Sequence, residues 1–143
     1  MTNLYITKSP KLAGRVKAPP SKAYTHRALI AALLSEGASE IYDPLICDDT
    51  IATLEACEAF GASVKPKLNK LVVKGSAHLK TPDDVINCRE SGSTIRFITP
   101  IASLPSGITI LTGGSSLRKR PIGELLEALS KLGVKCYSTR EDG

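Results

Sequence analysis

Three short stretches of this chain place cations where a helix ordinarily avoids them. In APPSKAYTHRALIAALL (18–34), Ser21 is positioned to cap a helix whose first two turns hold Lys22, His26 and Arg27. In CRESGSTIRF (88–97), Arg89 stands just outside a helix start and Arg96 just inside it, around Ser91, Gly92, Ser93 and Thr94. In LRKRPIGELL (117–126), Arg118, Lys119 and Arg120 directly precede Pro121, a favoured first helical residue. A helix N-terminus already carries partial positive charge, so each such cation opposes it by about 0.3–1 kcal/mol. Unpaired N–H groups, hydroxyls and cations gathered at helix starts are the ingredients of a phosphate or carboxylate site. Gly92, without a Cβ, lets an anion approach the backbone. The remaining start, CDDTIATLEA (47–56), has the ordinary acidic cap in Asp48 and Asp49 and serves as an internal contrast. Taken singly, each lysine or arginine reads as a solvated surface charge. Lys22 and Arg27 lie about 140° apart around a helix and would flank its end rather than form a stripe. Jointly, the three basic starts predict a shared hollow for a ligand with more than one anionic group.

Other chemistries find little support. GGSS (113–116) lacks the Gly-Lys-Ser/Thr of a nucleotide P-loop, and there is no G-x-G-x-x-G. His26 has no nucleophile motif around it and reads as a helix-surface or site-lining residue rather than a general base. Cys47, Cys57, Cys88 and Cys136 have no metal-ligand spacing and are expected to be free and mostly buried. The formal charge of +5 favours an acidic partner. Two Phe, four Tyr and no Trp leave few platforms for stacking single-stranded nucleic acid. The apolar run 28–34 is too short to cross a bilayer and the N-terminus lacks a signal-peptide layout, so no membrane role and a cytoplasmic location are expected.

The elements that must position these residues repeat. TLEACEAFGASVK (53–65) aligns with LLEALSKLGVKCY (125–137) at an offset of 72, with Gly61 on Gly133. Each copy reads as an amphipathic helix ended by a left-handed glycine, with a strand following at once. Upstream, SKAYTHRALIAAL and SGSTIRFITPIAS align Arg27 with Arg96 at an offset of 69. Period and punctuation predict helices over 21–35, 49–60, 92–104 and 121–132. Strands are predicted over 39–42, 61–65, 70–74, 85–88, 107–113 and 134–138. PKLN (66–69) supplies one hairpin turn, and a further hairpin is expected to begin at Glu141, Asp142 and Gly143. The first helix, apolar nearly all round, is expected to be buried.

PPSKAYTHRALIAALL, CDDTIATLEA, ESGSTIRF and LTGGSSLRKRPIGELLEAL, in this order and spacing, closely resemble the 5-enolpyruvylshikimate-3-phosphate (EPSP) synthase family. The resemblance runs over essentially the whole chain. It implies an α/β fold of repeated β-α-β-α-β-β units, an inside-out α/β barrel with helices inside, of which two of one domain's three units are present. Residues 1–14 would then form a strand segment of the other domain. Residues 15–143 would be a partial N-terminal domain, with unit one at about 15–76 and a truncated unit two at about 77–143. The implied reaction moves the enolpyruvyl group of phosphoenolpyruvate to the 5-hydroxyl of shikimate 3-phosphate, through a tetrahedral intermediate that expels phosphate, with no cofactor or metal. It belongs to the shikimate pathway to chorismate and the aromatic amino acids.

Position by position, Lys22 matches the motif lysine at phosphoenolpyruvate and the attacking hydroxyl, and is the implied catalytic residue. Ser21 is a further implied substrate-binding residue, and Arg27 matches the shikimate-phosphate side. Gly92 matches the glycine approached by phosphoenolpyruvate and its competitor glyphosate. Arg120 matches a phosphoenolpyruvate-binding arginine and Arg96 an arginine supporting that loop. Two positions depart from the family pattern. Ala23 stands where a serine is usual, so that a hydrogen bond is missing or comes from Thr25, and Glu90 stands where asparagine is common and would pair with Arg89 or Arg96. Partners are then shikimate 3-phosphate and phosphoenolpyruvate, not nucleic acid. The full-length protein would be a monomer, with the fragment inactive alone and open to self-association along its free edge. Competing readings are a UDP-N-acetylglucosamine enolpyruvyl transferase, disfavoured because no cysteine lies near Ser115, Ser116 and Leu117, and an RNA 3′-phosphate cyclase, which shares related folding units.

Overall fold

The computed structural model describes residues 3–9 and 11–139; the expected hairpin at 141–143 lies outside them. Four α-helices dominate: α1 (Lys22–Leu33), α2 (Asp48–Ala59), α3 (Gly92–Ile101) and α4 (Gly123–Lys131). Between the first two runs β1 (Ala38–Tyr42), and after α2 the hairpin β2 (Ser63–Lys67) and β3 (Lys70–Lys74). These form an antiparallel sheet in the order β1-β3-β2, with Ile41 opposite Leu71 and Val64 opposite Val73. A second, parallel pair joins β4 (Ile86–Asn87) to β5 (Leu111–Thr112) around α3, the crossover that parallel strands require. Residues 3–9 and 11–21 carry no regular secondary structure, and Leu4, Tyr5, Ile6, Leu12 and Val16 are exposed.

The repeat is visible at the level of single hydrogen bonds. After α2, Gly61 N–H donates to the Glu58 carbonyl and Ala62 N–H to that of Cys57; after α4, Gly133 N–H donates to Ser130 and Val134 N–H to Leu129. Both glycines are left-handed, at φ +108° and +89°. This is one helix stop built twice, closing two orphan carbonyls each time. The first stop occupies Gly61 and Ala62, so β2 begins two residues later than expected. Pro66 falls within it, tolerated because β2 is an edge strand.

Several expectations are corrected. Residues 134–138 form no strand, and none of the described strands pairs with them. α3 stops at Ile101, one residue past Pro100, which lacks the N–H that would reach the Arg96 carbonyl. The strand expected over 107–113 shrinks to Leu111–Thr112. α1 is buried on one face only: Thr25, His26, Leu29, Ala32 and Leu33 turn inward, while Tyr24 (78%) and Leu34 (50%) are exposed.

The core gathers Leu29 and Leu33 of α1, Cys57 and Phe60 at the end of α2, Leu71 and Val73 of β3, Ile86 and Cys88 around β4, and Ile98 of α3. Each large aliphatic or aromatic side chain so buried contributes about 1.5–3 kcal/mol. All four cysteines are free, Cys57 and Cys88 buried and Cys47 and Cys136 half-buried. The packing brings the first turns of α1, α2 and α3 together at one end.

Candidate functional site: an anion cavity at three helix starts

Ser21 caps α1, accepting from Tyr24 N–H at 3.4 Å, and Ser91 caps α3, accepting from Thr94 N–H at 3.1 Å. The hydroxyls end the two extended approaches and leave Lys22 and Gly92 as the first helical residues. A cavity of about 370 Å³ opens between these starts, lined by Lys22, Asp49, Gly92, Ser93, Arg96, Phe97 and Arg120. Three cations face one carboxylate there. The N–H groups of Gly92 and Ser93, in the first turn, have no intrahelical acceptor.

Each cation is held differently. Lys22 Nζ donates to Asp49 Oδ2 at 2.7 Å. That bond, with the carboxylate's charge, raises the lysine above its ordinary pKa of 10.5 and keeps it an ammonium. Arg96 spans two segments, one amino group reaching the Gly92 carbonyl at 3.3 Å and the other that of Pro121 at 2.8 Å. It thus ties the chain after Arg120 to α3. A Cβ on Gly92 would stand 2.9 Å from Arg120 Nη1 and 3.1 Å from Arg96 Nη1. Both guanidinium groups therefore lie over the bare glycine, and this close approach is what requires Gly92.

Lys22, Gly92, Arg96 and Arg120 line one cavity; Ser21 and Arg27 do not. Ser21 is used as the cap. Arg27 bonds the Ala23 carbonyl at 3.0 Å and sits over the ring of the lining residue Phe97, 5.3 Å from its centroid, a cation–π distance. The third basic cluster is also corrected. Leu117–Lys119 form a 3₁₀ turn, and α4 begins only at Gly123, so Arg120 enters the cavity from a loop and not from a helix start. In its place α2 joins the site. It is capped by Cys47, whose N–H donates to Thr50 Oγ1 at 2.9 Å, with Asp48 and Asp49 in its first turn. Asp49, expected to lie outside as an ordinary acid, pairs with Lys22 instead. Phe97 was also missed, although it adjoins Arg96; Ser93, named among the residues around this helix start, does line the cavity.

Glu90 pairs with neither Arg89 nor Arg96. Its carboxylate accepts the backbone N–H groups of Leu117 at 2.7 Å and Ser116 at 3.3 Å, capping the 3₁₀ turn that carries Arg118 and Lys119. Gly114 gives it room, for a Cβ there would collide with the Glu90 carboxylate. Arg89 instead bonds Glu55 at 2.7 Å and Asp48 at 3.4 Å. Thr25 does not replace the hydroxyl missing at Ala23. It is buried, donates to the Ser21 carbonyl at 2.9 Å and accepts from Leu45 N–H at 3.0 Å. His26 is not a surface or site-lining residue either: it is fully buried behind the cavity. Among the described residues no group of His, Cys, Asp or Glu is arranged to hold a metal ion.

Residues 6–143 match the family of EPSP synthase (3-phosphoshikimate 1-carboxyvinyltransferase). The chain belongs to the EPSP synthase family. It is similar to the 3-phosphoshikimate 1-carboxyvinyltransferases of Methanothermobacter thermautotrophicus, 51% identical over 99% of this chain and 34% of that protein, and of Methanosarcina mazei, 53% identical over 94% and 31%. It superimposes on an EPSP synthase from Acinetobacter baumannii with a TM-score of 0.84 at 28% identity, covering 91% of this chain and 30% of that one. The chain therefore has the mixed α/β fold of the EPSP synthases and spans about a third of the length of the relatives it matches.

Proposed function

We propose that this chain carries one half of the substrate site of a 3-phosphoshikimate 1-carboxyvinyltransferase. The observation that carries the reading is the convergence of Lys22, Arg96 and Arg120 around Gly92 in a single cavity large enough for a small polyanion. Phosphoenolpyruvate and shikimate 3-phosphate are such anions. In the proposed reaction the 5-hydroxyl oxygen loses its proton as it bonds to C2 of phosphoenolpyruvate, and C3 gains one. The C2–O bond to phosphate then breaks as C3 loses a proton, releasing phosphate and forming the enol ether. Lys22, held charged by Asp49, acts as a donor and electrostatic clamp, not as a base. Arg120 and the first-turn N–H groups of α3 neutralise the phosphoenolpyruvate side, where glyphosate would compete; Arg96 holds the Arg120 loop, and Ser21 and Arg27 serve the shikimate-phosphate side. Fixed charges that need no rearrangement are the effective kind.

The domain reading accompanies it. Residues 1–14 belong to the sheet of another domain, in keeping with their exposed apolar side chains, and 15–143 form two repeats of a three-repeat domain. On its own the 143-residue chain binds without turning over. The full-length protein is monomeric, while this chain self-associates through the face left open by Leu132 (80% exposed) and Tyr137 (85%). A cytoplasmic location fits, and no described helix is long and apolar enough to cross a membrane. The test is an NMR titration of the labelled chain with shikimate 3-phosphate, phosphoenolpyruvate, UDP-N-acetylglucosamine and an RNA oligomer. Shifts at Lys22, Gly92 and Ser93 with the first two ligands are expected. A response to RNA alone, falling steeply with salt, or no response at these amides, would overturn the reading.

A further inference from the structure

Behind the cavity lies a chain of buried polar groups that no cavity contact uses. His26 Nδ1 is 2.7 Å from Thr53 Oγ1, Thr53 Oγ1 is 2.7 Å from Thr94 Oγ1, and the Thr94 and Ser91 hydroxyls are 2.6 Å apart. Thr94 also reaches the Asp49 carbonyl at 3.1 Å. All four side chains are at most 0% exposed, and they come from α1, α2, α3 and the α3 cap. Burying four polar groups in a core is costly unless each finds partners, and an apolar set would pack as well.

Donor counting gives the chain a direction. His26 Nε2 is buried and, among the described residues, has no partner. An orphaned N–H is rarer and costlier than an idle lone pair, so the proton belongs on Nδ1. His26 then donates to Thr53 and Thr53 to Thr94. The Thr94 hydroxyl donates toward Ser91 Oγ and the Asp49 carbonyl, so the chain ends on the backbone of the residue whose carboxylate holds Lys22. Its other branch ends at the cap directly before Gly92.

We propose that the His26–Thr53–Thr94 chain is the positioning device of the cavity, setting the spacing between the Lys22–Asp49 pair and Gly92 through its hydroxyl contacts. Hydrophobic packing alone leaves helices free to slide by fractions of an ångström, whereas bonds of 2.7 Å between three helices fix their relative rise. The charges that reach His26 are Asp49 of α2, which favours protonation, and Lys22 and Arg27 of its own helix, which oppose it along with burial. A second proton on the ring would bury an unpartnered N–H and a charge at once. The inference rests on the cavity being an anion site, as proposed above, but not on the identity of the anion.

The test uses the 143-residue chain with inorganic phosphate as probe, read at the Gly92 and Ser93 amides. Thr53→Val and Thr94→Val keep shape and remove hydroxyls; each should weaken phosphate binding at least about fivefold, with the double variant less than multiplicative because the two act on one chain. Thr53→Ser and Thr94→Ser should restore binding to within about twofold. His26→Asn places an amide donor near the Nδ1 position and should keep binding to within about twofold. Valine variants that fold and bind like the parent, or serine variants that fail to rescue, overturn the proposal. If the valine variants do not fold, the serine and asparagine variants decide it by the same criteria. If the parent binds no phosphate, the anion-site reading fails, and the positioning claim is read instead from the Lys22 ionisation midpoint. That midpoint should fall toward the ordinary lysine value in the valine variants and hold in the serine ones; no change in the valine variants overturns the claim.

Discussion

Replacing Gly92 by alanine perturbs the site at its most crowded point. The new Cβ would lie 2.9 Å from Arg120 Nη1 and 3.1 Å from Arg96 Nη1, whereas an unstrained contact needs roughly 3.5–4.0 Å. Both obstacles are ends of flexible side chains, so the guanidinium groups retreat by about 0.5–1 Å and the backbone stays. For Arg96 that retreat breaks a contact to the Gly92 carbonyl already stretched to 3.3 Å. For Arg120 it moves the charge away from where an anion would sit against α3. One charge-assisted hydrogen bond is worth about 1.5–3 kcal/mol, so anion affinity should fall about ten- to a hundredfold. Stability should not fall, because alanine is the better helix former by up to about 1 kcal/mol. Isothermal titration with phosphoenolpyruvate and a thermal melt separate the two effects. Parent-like affinity in a folded G92A chain would refute the claim that the arginines and the anion share the space over this residue.

Burial holds His26 below its ordinary pKa of 6.5, so the unfolded chain takes up that proton first as pH falls. Stability is therefore unaffected by His26 above pH 6.5 and declines below it, by at most about 1.4 kcal/mol per pH unit; urea midpoints should show this slope in the parent and lose it in His26→Asn. Glu90→Ala removes the acceptor of two backbone N–H groups and should cost about 0.5–2 kcal/mol in urea denaturation, with faster amide exchange at Ser116 and Leu117. Burial pushes the thiols of Cys57 and Cys88 up to about 12, so iodoacetamide at mildly alkaline pH should label Cys47 and Cys136 and spare those two until unfolding, as peptide mass spectrometry would show.

What could be read from residues alone were features with local causes. Ser21 as a cap, the glycines at 61 and 133, and the strand at 70–74 each follow from side chains within one turn or one hairpin. Lys22 and Arg96 were legible because cations early in a helix oppose its dipole, whereas Arg120 was singled out by the same reasoning although it enters from a loop. What escaped depends on distant neighbours. Asp49 looks like an ordinary first-turn acid, and only the approach of α1 reveals it as the partner of Lys22. His26 looks exposed because Lys22 and Arg27 share its stretch, but the helix turns it toward Thr53, 27 positions away. Glu90 pairs with backbone N–H groups of a 3₁₀ turn that no side-chain pattern announces. The stretch expected as a strand at 134–138 had the right residues but pairs with no described strand.

The cavity straddles the seam between the two repeats: Lys22 and Asp49 stand on one bank, Gly92, Arg96 and Arg120 on the other. A polyanion in the proposed site would touch both banks at once, and any ligand that binds the folded chain alone stabilises it by mass action.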